Sequence, residues 1–389
     1  MKHALVFGFL FSLAACQSPV PISLPSLGHA PETAEEALEA YYKDLPQSVY
    51  PKAPAGRDLP DKTQALTRIL VGSCLDEEKG ESAVVRRMTS ERADLVMLVG
   101  DNVYGDRDNN RPVAADADLT ELRESFADLA KRPDFRALRA SHPMMVAWDD
   151  HDYGANDGGS EFLFRRFAER VHEKFWGLDT KDVGGWPGTY YARSFGPEGQ
   201  RTQIIMLDTR FFRSELTDTD EYRAKGKEAY LPSADPQQSM LGNDQWTWLQ
   251  NQLTKPADLR LIVSSIQVLP TDGHGWEAWS RLPMEQQRLF RMISDAQAEG
   301  VVFVSGDRHA AFLYEKDGVL PYKASELTTS SINVAFLEST DEKDSAQIGS
   351  GYTGENFGAV DIDWEAGRVG LSIKNANGQT LLSQTTKFR

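Results

Sequence analysis

The sequence predicts an α/β protein with a mixed sheet and a β-rich C-terminal part. From about residue 66, short apolar runs that stop at Gly or Asp alternate with longer stretches of helical periodicity. After His309 this alternation stops, and further strand-like stretches follow. The chain has 389 residues, of which 40% are hydrophobic, so it can form a large core. Alternating strands and helices are typical of sheets with helices packed on their faces.

The predicted elements follow one another in a regular order. The strands before His309 are TRILVGSC, DLVMLVGD, PMMVAWDDHD, TQIIMLD, LRLIVSSIQV and VVFVSGD. The helices among them are ESAVVRRMTSERA, ADLTELRESFADLAKRPDFRALRA, SEFLFRRFAERVHEKFW, NDQWTWLQNQL and PMEQQRLFRMISDAQAEG. The later strands are LPYKASELTTS, FGAVDIDW, RVGLSIKN and TLLSQTTKF. We assign residues 61–389 to one domain.

The first residues predict a lipoprotein signal peptide over 1–16. A Lys near the start, a short apolar run and small residues precede Cys16, and the run is too short for a membrane-spanning helix. The ending LAAC resembles a bacterial lipobox, although an ordinary signal peptide with a chance cysteine is the alternative. We therefore expect an extracytoplasmic protein attached to the membrane by a lipid on Cys16. Because Gln17 follows the cysteine, the outer membrane or periplasm is expected if the host is Gram-negative.

Residues 17–60 predict a tether that contains one short helix. The stretch QSPVPISLPSLGHAPE is rich in Pro and Ser and has no apolar periodicity, as expected for a flexible connection. TAEEALEAYYKDL then predicts a helix with Thr33 as its N-cap. A second Pro-rich stretch leads into the domain.

The charge of the chain excludes one class of partner. A formal net charge of −16 repels phosphate backbones, so we expect no nucleic-acid-binding surface. An anionic substrate would need a local positive charge, such as a bound metal ion. We expect a monomer.

Polar residues follow the predicted strands where each strand ends. The first strand ends at Cys74, and the second ends at Asp101, with Tyr104 shortly after it. WDDHDY follows the third strand over 148–153, and DRH follows a late strand over 307–309. In open α/β sheets, ligands bind outside the carboxyl ends of the strands, so we expect these side chains to form one site.

A cluster of bare carboxylates would repel itself, and a multivalent cation removes that repulsion. Oxygen ligands suit hard cations such as Ca²⁺, whereas thiolate, phenolate and imidazole suit a transition metal. We therefore expect at least two metals of unlike character, with Asp101 placed to bridge them. Besides Asp101, the expected ligands are Cys74, Tyr104 and His309 for one metal, and Asp150 and Asp307 for the other.

Such a site predicts phosphoryl chemistry. Two metals about 3.5–4 Å apart lower the pKa of a bound water and clamp a phosphoryl group. His151 lies among carboxylates, which raise the pKa of a histidine and allow it to act as a general acid. The predicted catalytic residues are therefore Asp101, His151 and Arg308. Arg308 is interpreted either as a phosphate contact or, equally, as a structural ion-pair partner.

Four motifs together resemble one family. GSC, GDNVYGD, WDDHDYG and GDRH, in this order, resemble the PhoD-like alkaline phosphatases, a branch of the calcineurin-like metallophosphoesterases. The resemblance runs from about Leu66 to Phe357. It implies a four-layer αββα sandwich with mixed sheets and an alkaline phosphatase or phosphodiesterase activity. The long bacterial members carry a β-sandwich domain before GSC, and about fifty tether residues cannot form one.

The resemblance also implies a metal content and further site residues. It implies ferric iron and one or two calcium ions, with Asp149 as a ligand of the further calcium. The implied iron ligands are Cys74, Asp101, Tyr104 and His309, and the implied calcium ligands are Asp101, Asp150 and Asp307. Gln267 is a candidate second-metal ligand, and His274 and Asn156 are candidate substrate contacts.

Other interpretations of these residues stay open. Cys74 taken alone is more often an apolar core residue than a ligand. Asp106, Asp152 and Asp157 are interpreted as turn residues, and His172 as structural or solvated. A function of another class is a calcium-binding surface lipoprotein without turnover. His151 argues against it, since rigidity needs no proton donor.

Overall fold

The computed structural model describes residues 33–107, 116–178, 186–224, 227–336 and 344–388. The predicted signal peptide, Cys16 and the first part of the predicted tether lie outside the described residues. In the part that is described, no helix has both the length and the apolar character that crossing a membrane requires.

The strands form two large sheets and one small hairpin. They are β1 (Arg68–Gly72), β2 (Leu95–Val99), β3 (Met144–Ala147), β4 (Tyr191–Phe195), β5 (Thr202–Met206), β6 (Thr217–Asp218), β7 (Tyr230–Leu231), β8 (Leu259–Val263), β9 (Val301–Ser305), β10 (Ala311–Lys316), β11 (Ala324–Thr328), β12 (Gln347–Tyr352), β13 (Asn356–Asp363), β14 (Arg368–Asn375) and β15 (Thr380–Lys387). One sheet has the order β15-β14-β13-β1-β2-β3, and the other has the order β12-β10-β11-β9-β8-β5-β4.

Both sheets are mixed. In the first, β1, β2 and β3 are parallel, and β13 joins β1 in antiparallel fashion with Leu70 opposite Ala359. In the second, β5, β8, β9 and β11 are parallel, and antiparallel strands extend both edges. The parallel strands of each sheet bring their carboxyl ends to one edge, which is where a ligand site forms in such sheets.

The helices cover the outer faces. They are α1 (Ala34–Lys43), α2 (Ala83–Ser90), α3 (Thr120–Lys131), α4 (Pro133–Ser141), α5 (Asp150–Tyr153), α6 (Arg165–Trp176), α7 (Gly242–Leu253) and α8 (Pro283–Asp295). Helix α2 begins where the Ser82 hydroxyl accepts hydrogen bonds from the backbone N–H groups of Val84 and Val85, which is the usual role of a serine N-cap.

The alternation of side chains along each strand divides the core into layers. In β2, Met97 points into the apolar layer between the two sheets, where it joins Val263 and Val304. Its neighbour Leu98 points the other way, into the layer under α2–α6. A third apolar layer lies between the second sheet and helices α7 and α8. The molecule is thus a four-layer αββα sandwich, and the fold prediction is confirmed.

The predicted helix of the tether is present as α1. Thr33 caps it, and the Glu36 side chain completes a capping box. Tyr42 is 2% exposed, and its ring stacks on Phe167 of α6 at 4.4 Å. Burial of this aromatic face packs α1 against α6, and the assignment of residues 17–60 to a tether stays a prediction. The domain boundary at residue 61 stays a prediction.

Candidate metal centre

Four of the predicted ligands have an unusual backbone conformation. The φ angles of Cys74, Asp101, Asp307 and His309 are 57°, 51°, 67° and 52°. Residues other than glycine rarely adopt positive φ, and such strain tends to occur at functional sites. Each of these residues lies just after a strand of the parallel parts of the sheets, so the strained turns aim their side chains at a common edge.

The first ligand group consists of Cys74, Asp101 and His309. One ligand atom from each lies within 4.8 Å of the others, and all three residues are buried. The Cys74 Sγ lies 3.2 Å from Asp101 Oδ2 and 2.9 Å from the Ser330 hydroxyl. His309 Nδ1 bonds to the Val334 carbonyl, which orients the ring and leaves Nε2 as the nitrogen that a metal would use.

Tyr104 lies against this group. Its side chain is 2% exposed, and its ring centroid lies 4.2 Å from the His151 ring and 6.3 Å from the His309 ring. The phenol oxygen has no hydrogen-bond partner among the described residues. Burial, followed by Cys74 and Asp101, raises the pKa of the phenol well above its usual value. A cation beside the oxygen would reverse that effect.

The second ligand group consists of Asp101, Asp150 and His151, whose ligand atoms also lie within 4.8 Å of one another. Asp150 Oδ2 accepts a hydrogen bond from the Asp157 N–H at 2.9 Å. Burial, followed by Cys74 and Asp150, raises the pKa of Asp101. Burial alone would raise the pKa of Asp150 too, but His151 and Arg210 outweigh it and lower that pKa. Asp101 belongs to both groups, and its role as a bridging ligand stays a prediction.

Three buried oxygens test whether the residues fit bound cations. In the described part of the chain, Asp101 Oδ1, Asp150 Oδ1 and the Tyr104 oxygen lack hydrogen-bond partners. A buried polar atom without a partner costs about 1–3 kcal/mol, and such atoms are rare in native proteins. A cation in each group would satisfy them. The residues therefore fit two cations, one on a thiolate, phenolate and imidazole set and one on carboxylates.

His151 has a partner that the sequence did not identify. Its Nδ1 lies 2.6 Å from Asp106 Oδ1, and Asp106 itself lies in a turn. Burial would lower the pKa of His151, but Asp150 and Asp106 outweigh it and raise the pKa to about 9. The bond also orients the ring and leaves Nε2 available for proton transfer.

Asp149 lies beside the second group but not in it. Its Oδ1 accepts hydrogen bonds from Arg210 Nε at 2.6 Å and from the Ser265 hydroxyl at 2.7 Å. Asp152, interpreted from the sequence as a turn residue, accepts the backbone N–H groups of Asn102 and Asp149. Asp149 as a calcium ligand stays a prediction, and an arginine already holds one of its oxygens.

Asp307 and Arg308 lie at the edge of the groups. Among the described residues, neither compact group includes Asp307, although burial, followed by the charges of Asp149 and Glu277, raises its pKa well above the usual value. Arg308 is 6% exposed. Burial lowers the pKa of Arg308, and the neighbouring Asp307 opposes that change. The arginine thus places a buried positive charge beside the carboxylates.

The structure joins Gln267 to His274 rather than to the carboxylates. Gln267 Nε2 donates to the Tyr314 hydroxyl at 2.9 Å and to the Thr328 hydroxyl at 3.0 Å, and its Oε1 lies 3.0 Å from His274 Nε2. Its polar atoms are therefore occupied within the protein. Asn156 is exposed in the loop after α5. The roles of Gln267 as a ligand, and of His274 and Asn156 as substrate contacts, stay predictions.

Sequence reasoning missed a buried ion cluster next to Asp149. Arg210 and Arg213 are both 0% exposed, and both contact Glu277, which is 2% exposed. One signal was available: the strand prediction TQIIMLD is followed at once by TRFFR. The rule that polar residues after a strand face the site applies to this strand as well.

The fold and these ligand groups define a class of protein, the four-layer αββα sandwiches with candidate metal ligands at the carboxyl ends of their strands. A family model described as PhoD-like phosphatase matches residues 69–161 and 188–373. The chain belongs to that family.

Two comparisons with individual proteins agree with this membership. Alkaline phosphatase D of Bacillus subtilis (strain 168) is 24% identical over an alignment of 327 residues, and the match covers 74% of this chain and 54% of that protein. The chain therefore spans about half the length of this curated relative. A solved structure of PhoD superposes with a TM-score of 0.65 at 18% identity, covering 86% of this chain and 71% of that one. At this identity the likeness shows a shared fold.

Proposed function

We propose that this protein is a metal-dependent phosphoric ester hydrolase, acting as a phosphomonoesterase or phosphodiesterase. The observation that carries the proposal is the set of three buried oxygens, on Asp101, Asp150 and Tyr104, that lack hydrogen-bond partners among the described residues. They belong to or adjoin two ligand groups that share one carboxylate. Membership of a phosphatase family supports the same reaction class.

We further propose that the two groups differ in the metal they hold. Cys74, Tyr104 and His309 supply the donor types that favour iron, and Asp150 with Asp307 supplies those that favour calcium, while Asp101 serves both. When bound, such cations supply a water activated at neutral pH and positive charge for phosphoryl oxygens.

The protein's own residues then hold and move protons. Asp106 fixes Nδ1 of His151, so we assign His151 to proton transfer and not to a metal, with Nε2 giving its proton to the leaving-group oxygen. Arg308 is proposed to contact the phosphate, because its buried guanidinium beside Asp307 could supply positive charge to phosphoryl oxygens.

The chain without residues 1–16 tests the reaction class. It is purified, its metals are measured, and turnover of nitrophenyl phosphate monoesters and diesters is assayed beside an Asp101→Asn variant. The matched control is Asp128→Asn, which removes an exposed carboxylate paired with Lys131 at 2.6 Å. Turnover that Asp101→Asn abolishes and Asp128→Asn retains supports the proposal. Calcium without iron, and no turnover of any ester, would favour the calcium-binding lipoprotein instead.

The proposed iron ligands have a spectroscopic test. Tyrosine or cysteine bound to ferric iron gives a visible absorption band, which Tyr104→Phe or Cys74→Ala should remove. A colourless wild-type protein with full turnover contradicts the iron assignment but leaves the hydrolase proposal standing.

We also propose that a lipid on Cys16 holds the protein outside the cytoplasm. Incorporation of labelled palmitate that disappears in Cys16→Ala supports the anchor. Equal labelling of both proteins contradicts it.

A further inference from the structure

Arg210 is a buried cation surrounded by carboxylates. It is 0% exposed, its Nε lies 2.6 Å from Asp149 Oδ1, and its Nη1 lies 2.8 Å from Glu277 Oε1. Its Nη2 lies 3.9 Å from Asp150 Oδ1. Burial would lower the pKa of a guanidinium, but Asp149 and Glu277 outweigh it and raise this pKa well above the usual value. The planar guanidinium therefore stays charged and contacts each partner in a fixed direction.

The arginine is itself fixed from two sides. Asp208, at the end of β5, accepts the backbone N–H groups of Arg210 and Phe211, both at 2.9 Å. Arg213 Nη2 lies 2.9 Å from Glu277 Oε1, so Glu277 is shared between two arginines. The guanidinium is thus held in one position, and it can in turn hold the carboxylate of Asp149 in place.

The partner that matters for the second ligand group is Asp149, because it directly precedes Asp150. The backbone N–H of Asp149 donates to Asp152 Oδ2 at 3.0 Å, so the turn is held at both its backbone and its side chain. Holding Asp149 in an ion pair leaves Asp150 as the carboxylate that can join Asp101. Without a cation at Arg210, two adjacent carboxylates would compete for the same metal and repel each other.

We propose that Arg210 is a positioning residue of the second ligand group: it holds Asp149 in an internal ion pair and thereby sets Asp150 to bind a divalent cation. The proposal rests on the metal binding assumed under the proposed function, but not on turnover. Residues that orient metal ligands without touching the metal change its affinity by about 10–100-fold when they are replaced.

The test measures Ca²⁺ binding to the full chain by calorimetry, for the wild type and for Arg210→Lys. Lysine keeps the charge but loses the planar set of donors, so Ca²⁺ affinity should fall by about 10–100-fold. The matched control is Arg260→Lys, which removes a 5% exposed arginine that bonds backbone carbonyls at the start of β8, away from the carboxyl ends. The Ca²⁺ affinity of Arg260→Lys should equal that of the wild type, although its melting temperature should fall about as much as that of Arg210→Lys.

Three outcomes separate the possibilities. Weaker Ca²⁺ binding in Arg210→Lys alone supports positioning, and equal weakening in Arg260→Lys shows a general loss of stability and overturns it. Unchanged Ca²⁺ affinity in Arg210→Lys overturns the inference while leaving the proposed hydrolase intact. A wild type that binds no Ca²⁺ overturns the inference together with the proposed calcium site. If Arg210→Lys does not fold, Glu277→Gln loosens the same guanidinium and should weaken Ca²⁺ binding in the same direction.

Discussion

Replacing Asp106 with Asn should lower the pKa of the His151 imidazole and leave the surrounding fold in place. The amide has nearly the same shape as the carboxylate, and its oxygen can still accept a hydrogen bond from Nδ1. The change therefore removes the charge across a 2.6 Å contact while it keeps the neutral part of the interaction.

The size of the effect follows from the contacts of His151. In the metal-free protein, burial would lower its pKa, but Asp150 and Asp106 together raise it from 6.5 to about 9. That net rise corresponds to about 3 kcal/mol in favour of the charged ring, after the opposing effect of burial. A carboxylate at hydrogen-bond distance accounts for about 1–3 units. We therefore expect the variant's pKa to fall by about 1–2 units, because Asp150 remains.

The raised pKa of His151 also makes the stability of the folded protein depend on pH. Because the folded pKa of His151 is raised, its contribution is fully present below pH 6.5 and is lost as the pH rises through about 9. In Asp106→Asn, the loss should occur at a lower pH. Unfolding by urea at several pH values between these limits measures it.

The direct assay is an NMR titration of the His151 ring signals in the metal-free chain, with signals assigned through a His151→Gln variant. Asp128→Asn serves as the control, since it removes an equal charge at an exposed position on α3. An unchanged His151 pKa in Asp106→Asn would refute the reasoning, as would an equal fall in the control.

Three further predictions concern stability. His172→Phe should leave the free energy of unfolding, measured in urea, unchanged or raise it by about 1–3 kcal/mol, because neither ring nitrogen has a hydrogen-bond partner in the described residues. Burial lowers the folded pKa of His172 to about 3, so the variant should also lose less stability as the pH falls below 6.5. Gly100→Ala should lower the melting temperature and Ca²⁺ affinity together, because φ is 108° and a Cβ would lie 2.5 Å from Asp149 Cβ; an unchanged melting temperature contradicts this. Phe167→Ala should cost about 3–5 kcal/mol and speed proteolysis within residues 33–60, since it removes the ring on which Tyr42 stacks; unchanged cleavage contradicts the packing of α1.

The strands were predictable because their apolar runs are unambiguous. LVMLV in β2 is buried along its whole length, and such a run signals a strand covered on both faces. The division into two sheets could not come from that pattern, since both faces of the run are apolar. It depends on pairings such as that of β1 with β13, which join distant parts of the chain. The four-layer arrangement came from the family resemblance and not from local periodicity.

Much of the candidate site was predictable for a geometric reason. Cys74, Asp101 and His309 each follow a strand, and the carboxyl ends of those strands meet. Position after a strand does not determine which of two adjacent carboxylates faces a metal. Asp149 and Asp150 are equivalent by that rule, and they differ because Arg210, in the loop after β5, hydrogen-bonds Asp149 at 2.6 Å but lies 3.9 Å from Asp150.

Asp106 and Arg210 share the reason for which they were missed. Each acts through another side chain, Asp106 through His151 and Arg210 through Asp149. A sequence pattern identifies residues that have a direct role, such as binding a metal, and not residues that act through a neighbour. Such residues can be found by comparing the buried negative and positive charges, because carboxylates that are buried together require buried cations beside them. In this chain Arg210 and Arg213 compensate Asp149 and Glu277 within the protein. That pairing leaves the carboxylates of the two ligand groups as the candidates for binding exchangeable cations.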